Sequence, residues 1–135
     1  PYLSWQQDYT YDIDLRVALT AANTDDVLEI TRSNFQYLYW SMHQQLAHHT
    51  VSGCNVRVGD LLASGTISGP EETSRGCLLE LSWRGAEPLE LPGGEKRVFL
   101  EDGDRVTMTG WCQGADYRVG FGEVTAKLLP ARTAE

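Results

Sequence analysis

The chain has 135 residues, 41% hydrophobic and 22% charged, which suits one domain or a large piece of one with enough apolar material for a core. Asp and Glu outnumber Lys and Arg by 19 to 11, and the net charge of −8 repels phosphate backbones and anionic headgroups, which excludes nucleic acid and membrane surfaces as expected partners. No apolar run reaches membrane-spanning length and no signal-peptide pattern opens the chain, so a soluble protein is expected.

Cys54, Cys77 and Cys112 are odd in number, widely spaced and without a C-x-x-C pair, so reduced thiols in a cytoplasmic protein are expected. The first residue is Pro1, and strand-like sequence follows almost at once. The numbering is therefore expected to start inside a longer polypeptide.

In chain order, Tyr9, Tyr11, Ile13, Leu15, Val17 and Leu19 alternate with Thr10, Asp12, Asp14, Arg16 and Ala18. A period of two predicts a strand with one buried face. Residues 22–26 read as a turn and 27–31 as a returning strand, which makes a hairpin. The period then changes. Phe35, Leu38, Tyr39, Met42, Leu46 and His49 follow helical spacing, Ser33 with Gln36 matches a capping box, and Gly53 marks the exit. One long helix is predicted there. Beyond it, strands are predicted at 60–64, 78–83, 97–100, 105–111 and 117–127, separated by turn-rich SGTISGPEE, LPGGEK, EDGD and CQGAD; PARTAE reads as a loose tail. The fold class is mainly β with one long helix.

His43, His48 and His49 are the only histidines and lack the i, i+4 spacing of helical metal ligands, so no metal role is assigned to them. His49 is expected on the apolar face, with His43 and His48 solvated or bonded to backbone. The clusters Glu71-Glu72 and Glu101-Asp102-Gly103-Asp104 lack calcium-loop spacing and read as solvated turns. Gly120-Phe121-Gly122 lacks the remainder of a dinucleotide fingerprint and reads as a strand bend.

Two residues stand out. Thr66 lies among Gly65, Gly69 and Gly76, where backbone and hydroxyl donors can meet a carboxylate or enolate; a tight turn with the threonine bonded to its own backbone fits equally well. Glu80 interrupts Leu78-Leu79-Glu80-Leu81. It is either a buried acid that needs a partner such as a histidine or a cation, or an acid that alternation exposes.

The tracts NFQYLYWSMHQQLAHHTVSGCNVRVGDLLASGTISGPEE, LLELSWRG, FLEDGDRVTMTGWCQG and YRVGFGEVTAKLLPA resemble the carboxy-terminal portion of the fumarylacetoacetase family over essentially the whole chain. GD-x-L-x-S-G-T is shared across the wider hydrolase superfamily, whereas YW-x-M-x-QQL-x-HH, SGTISGPE and LELSW are more specific. The resemblance implies part of a mixed β-sandwich roll, with residues 1–135 forming the carboxy-terminal part of one catalytic domain. It implies hydrolysis of the carbon–carbon bond of 4-fumarylacetoacetate, a β-diketo acid, to fumarate and acetoacetate at the end of tyrosine catabolism. A poor carbon leaving group explains the divalent metal, Mg and/or Ca, that holds the diketone and stabilises the enolate. By the same resemblance Thr66 matches a substrate-binding threonine, and Glu80 matches the glutamate that orients the catalytic histidine. That histidine, the metal-binding carboxylates and a nearby lysine belong to segments upstream of Pro1, so the piece alone is expected to be inactive. A homodimer, or association with the upstream portion, is implied as well. The alternatives are a superfamily hydrolase or decarboxylase acting on acylpyruvate-like oxo-acids, and a non-catalytic β-domain for binding or assembly.

Overall fold

The computed structural model describes residues 1–4 and 10–132. The predicted strand start at Tyr9 and the last residues of the predicted tail, 133–135, lie outside the described residues. The fold is mostly β. Strands β1 (Asp14–Thr20), β2 (Leu28–Asn34), β5 (Arg105–Gln113) and β6 (Arg118–Lys127) form an antiparallel sheet in the order β2-β1-β5-β6. β3 (Leu89–Glu90) and β4 (Lys96–Arg97) form a small separate hairpin. Helix α1 is Met42–Val51 and α2 is the single turn Leu78–Leu81.

The predicted first hairpin is present. Its turn is set by Thr24, whose hydroxyl accepts from the Asp26 N–H at 3.0 Å, a side-chain turn that threonine forms readily. Leu19 ends β1 almost fully buried and packs with Ala21 and Leu91, flanked by Leu28, Ile30, Leu100 and Val106. Cross-strand pairs share a face, so Leu19 opposite Val106 and Leu28 gathers this core at the β1–β2 end of the sheet. At the other end β6 is exposed along its whole length, Phe121 and Val124 included.

The predicted long helix is corrected. S-x-x-Q occurs at Ser33–Gln36 and again at Ser41–Gln44, and of these two only the second caps an α-helix. Ser41 Oγ accepts from the Gln44 N–H at 3.3 Å, and the Gln44 side chain accepts from the Ser41 N–H at 2.9 Å. The first loses because β1 holds Ser33 and Asn34 extended, opposite Leu15 and Asp14. Asn34 instead caps the short 3₁₀ turn Phe35–Tyr37. The helix is thus 10 residues long and none of its side chains is buried. Gly53 ends it as expected, at φ +89°.

Three predicted strands also change. Residues 60–64 form no strand, and 97–100 shrinks to β4. Residues 78–83 coil into α2 and a 3₁₀ turn at Trp83–Gly85. A short apolar run such as LLELSW carries no decisive period, and side chains settle it: Ser82, fully buried, accepts from the Gly85 N–H and closes the second turn.

The EDGD turn is a further correction, because its last acid is not solvated. Asp104 is 0% exposed and makes a two-pronged pair with Arg97, at 2.9 Å to Nε and 3.1 Å to Nη2. The Glu101 N–H donates to the same carboxylate at 2.9 Å. Burial works against the Asp104 charge, but these donors outweigh it and hold its carboxyl below the ordinary aspartate range. Gly103 lies so close to Ala22 that a Cβ would meet the alanine methyl at 2.6 Å, which explains its glycine.

Candidate functional site

Loop 65–76 carries Thr66 and is fastened on two sides. From β2, the buried Ser33 hydroxyl donates to the Ile67 carbonyl at 2.8 Å. Two residues earlier, buried Thr31 is placed by its hydroxyl against the carbonyls of Arg75, at 2.7 Å, and Thr73, at 3.1 Å. A period of two puts Thr31 and Ser33 on one face of β2, so a single strand edge pins both ends of the loop. The loop closes on itself through the Gly69 N–H, which donates to the Ser74 carbonyl at 2.8 Å.

The second fastening is Glu80. It occupies the third position of α2, where an acidic side chain reaches back to the free N–H groups of the first turn. Its Oε2 accepts from the Ser68 hydroxyl at 2.5 Å and from the Gly76 N–H at 3.0 Å. Gly76 also donates to Ser68 Oγ at 3.0 Å, so the serine hydroxyl donates to the acid while accepting from the backbone beside it. Chiefly because of the Ser68 hydroxyl, with the Gly76 and Cys77 N–H groups and the Cys77 thiol also lowering it, the Glu80 carboxyl is held below its ordinary range although partial desolvation pulls the other way. Arg75 braces the same corner. Its guanidinium lies 4.6 Å from the centre of the Trp83 ring and also reaches the Glu80 carbonyl and the Glu72 carboxylate.

Gly76 is glycine because the loop passes over it. A Cβ there would meet the Ile67 backbone at 2.8–2.9 Å. Thr66, the residue before Ile67, is exposed, and Glu80 is exposed too. The alternative of a buried acid beside a core strand is thereby corrected: Glu80 lies on a helical turn, and partner oxygens and N–H groups hold it at the surface. The structure brings the Thr66 loop to Glu80 through Ser68, two residues beyond the threonine. Ser68 and the close contact at Gly76 are the parts that sequence reasoning missed. The available signal was a hydroxyl and a glycine flanking an acid placed in the first turn of a helix.

An apolar groove of about 810 Å³ lies between α1 and residues 62–65, with Met42, Leu46, His49, Leu62 and Gly65 in its wall. Gly65 is the neighbour of Thr66, so the loop stands at the groove's end. His49 lines the groove and its Nε2 lies 3.2 Å from Cys54 Sγ, while His48 Nδ1 lies 3.2 Å from the Tyr2 hydroxyl. Among the described residues no three His, Cys, Asp or Glu side chains are grouped to hold a metal ion. Among them, too, no helix is long and apolar enough to cross a membrane.

Curated relatives are similar to this chain over nearly its full length. It is 59% identical to the fumarylacetoacetase of Bos taurus, 55% to that of Homo sapiens and 57% to that of Arabidopsis thaliana, each over 97% of this chain and 31% of the relative. The chain thus spans under a third of the length of these proteins. The profile of the fumarylacetoacetate (FAA) hydrolase C-terminal family matches residues 4–128, and the chain belongs to that family.

Proposed function

We propose that this chain is the carboxy-terminal part of one catalytic domain that hydrolyses 4-fumarylacetoacetate to fumarate and acetoacetate, the step named by its fumarylacetoacetase relatives. The observation that carries the reading is identity of 55–59% to those enzymes along 97% of the chain, the SGTISGPE and LELSW tracts included. In this reading residues 1–135 complete a mixed β-sandwich roll with segments outside the chain, in a cytoplasmic homodimer of tyrosine catabolism. Those segments supply the base histidine and the carboxylates for a Mg or Ca ion.

The chain's own contribution is a pair of polar groups. Thr66 offers a hydroxyl donor to the substrate at the end of the apolar groove. Glu80, kept ionised by its donors, accepts the N–H of the base imidazole and stabilises the imidazolium formed when a water proton is taken. An acid that orients a base must be charged at neutral pH, and the Ser68 hydroxyl favours that state.

The test is turnover of fumarylacetoacetate by the full-length enzyme and its E80Q variant. Glutamine preserves shape and removes the charge, and kcat is expected to fall roughly 10²- to 10⁴-fold. Wild-type turnover in E80Q would remove Glu80 from the mechanism. Preference for acylpyruvates over fumarylacetoacetate would transfer the chain to a neighbouring hydrolase. A second reading, a β-domain used for assembly without catalysis, is favoured by the exposure of Glu80; no turnover by the full-length protein would select it.

A further inference from the structure

We propose that Ser68 is a positioning residue that joins the substrate loop to the orienting acid, so that Thr66 and Glu80 are held as one unit. The inference rests on the reading of Glu80 given above and adds a residue to it. Its basis is the geometry at one hydroxyl. Ser68 Oγ donates to Glu80 Oε2 at 2.5 Å and accepts from the Gly76 N–H at 3.0 Å, so its donor and one acceptor position are both used. A bond to a charged acceptor is the strong kind, and here it spans 12 residues of chain.

The next residues show that the bond serves alignment and not mere solvation. Ile67, between Thr66 and Ser68, is held from the far side by Ser33 at 2.8 Å and rests on Gly76 with no room for a Cβ. The 66–68 segment is therefore fixed from β2 below and from α2 in front. Only the second fixing touches a group of the proposed site. Because Ser68 is itself exposed, its hydroxyl does not fill a core position, and its removal leaves the fold without a cavity. What its removal does leave is a carboxylate that has lost its main donor and is held only by Gly76 and Cys77.

The experiment uses the full-length enzyme with S68A and S68T, alongside E80Q. S68A is expected to lower kcat by roughly 10-fold or more while KM for fumarylacetoacetate changes less than about threefold, with the melting temperature close to wild type. S68T keeps a hydroxyl at the same place and is expected to recover most of the loss. A wild-type kcat in S68A overturns the proposal, as does a loss in S68T equal to that in S68A. A loss confined to KM also overturns it, since the serine would then act on substrate affinity and not on the acid. If E80Q is itself fully active, the reading of Glu80 has failed; if E80Q is impaired and S68A is not, the role of Ser68 alone has failed.

Discussion

Asp104 and Glu80 are both acids held by several donors within one small fold, and they are held in opposite ways. Asp104 is sealed from solvent and satisfied by a guanidinium that Glu95 and Glu101 also contact. Glu80 is exposed, and the groups that donate to it are a serine hydroxyl, backbone N–H groups and a thiol, all neutral. A carboxylate paired with a fixed cation in a closed site has its charge spent on structure. One aligned by neutral donors at the surface keeps its charge for a further partner. The contrast separates an acid closed off by a cation from one left open to a further partner, and no distinction in residue type would have done so.

The comparison breaks most visibly at Asp104. D104N leaves the Arg97 guanidinium buried and short of its main partner, and the full-length protein is expected to lose about 3–5 kcal/mol of stability. Thermal and denaturant unfolding measure this, and activity of the protein that remains folded is expected to persist. The sign of the pH effect follows from the lowered Asp104 carboxyl. Its contribution is complete above the unfolded-state value of about 4 and is lost as pH falls through the lower folded-state value. D104N should therefore flatten the acid end of the stability profile. An unchanged midpoint would show that Glu95 and Glu101 suffice for Arg97.

A smaller effect is expected at Gly76. In G76A the new methyl meets the Ile67 backbone, which cannot yield as a side-chain tip would, and overpacking of this kind costs about 1–3 kcal/mol. The strain falls on the contact between loop and α2, so faster amide exchange in residues 66–76 should accompany reduced kcat. Normal exchange in this loop would mean that the backbone relaxes around the methyl and that the close approach is incidental.

The legible parts of the fold were those set by local pattern. Alternation from Tyr9 to Leu19 announced a strand, although among the described residues β1 begins only at Asp14, and the strands expected on either side of the CQGAD turn are β5 and β6. What escaped was decided by distant partners. Ser33 carries a capping-box pattern, yet pairing with Leu15 makes it a strand residue whose hydroxyl serves a loop 34 positions away. Asp104 sits in a sequence that reads as a wet turn, yet it is buried with Arg97 and the Glu101 N–H as its donors. Glu80 was found as an oddity in an apolar run, and Thr66 as a hydroxyl among glycines. Their connection was not legible, because Ser68 is informative only once α2 is known to be a helix turn facing the loop.

Ser33 offers the finest division between the loop's two fastenings. S33A removes one neutral hydrogen bond, to the Ile67 carbonyl, and is expected to cost about 1 kcal/mol. That corresponds to roughly fivefold faster amide exchange across the loop. Since the bond to Glu80 remains in S33A, kcat should fall less than in S68A, although the loop loosens more. If instead kcat follows loop exchange equally in both variants, mobility of the loop as a whole governs the site, and the orientation of Glu80 by Ser68 has no separate part in it. A loop that loosens in S33A without a matching loss of kcat, beside an S68A loop that stays ordered while kcat falls, would separate holding the loop from aiming the acid.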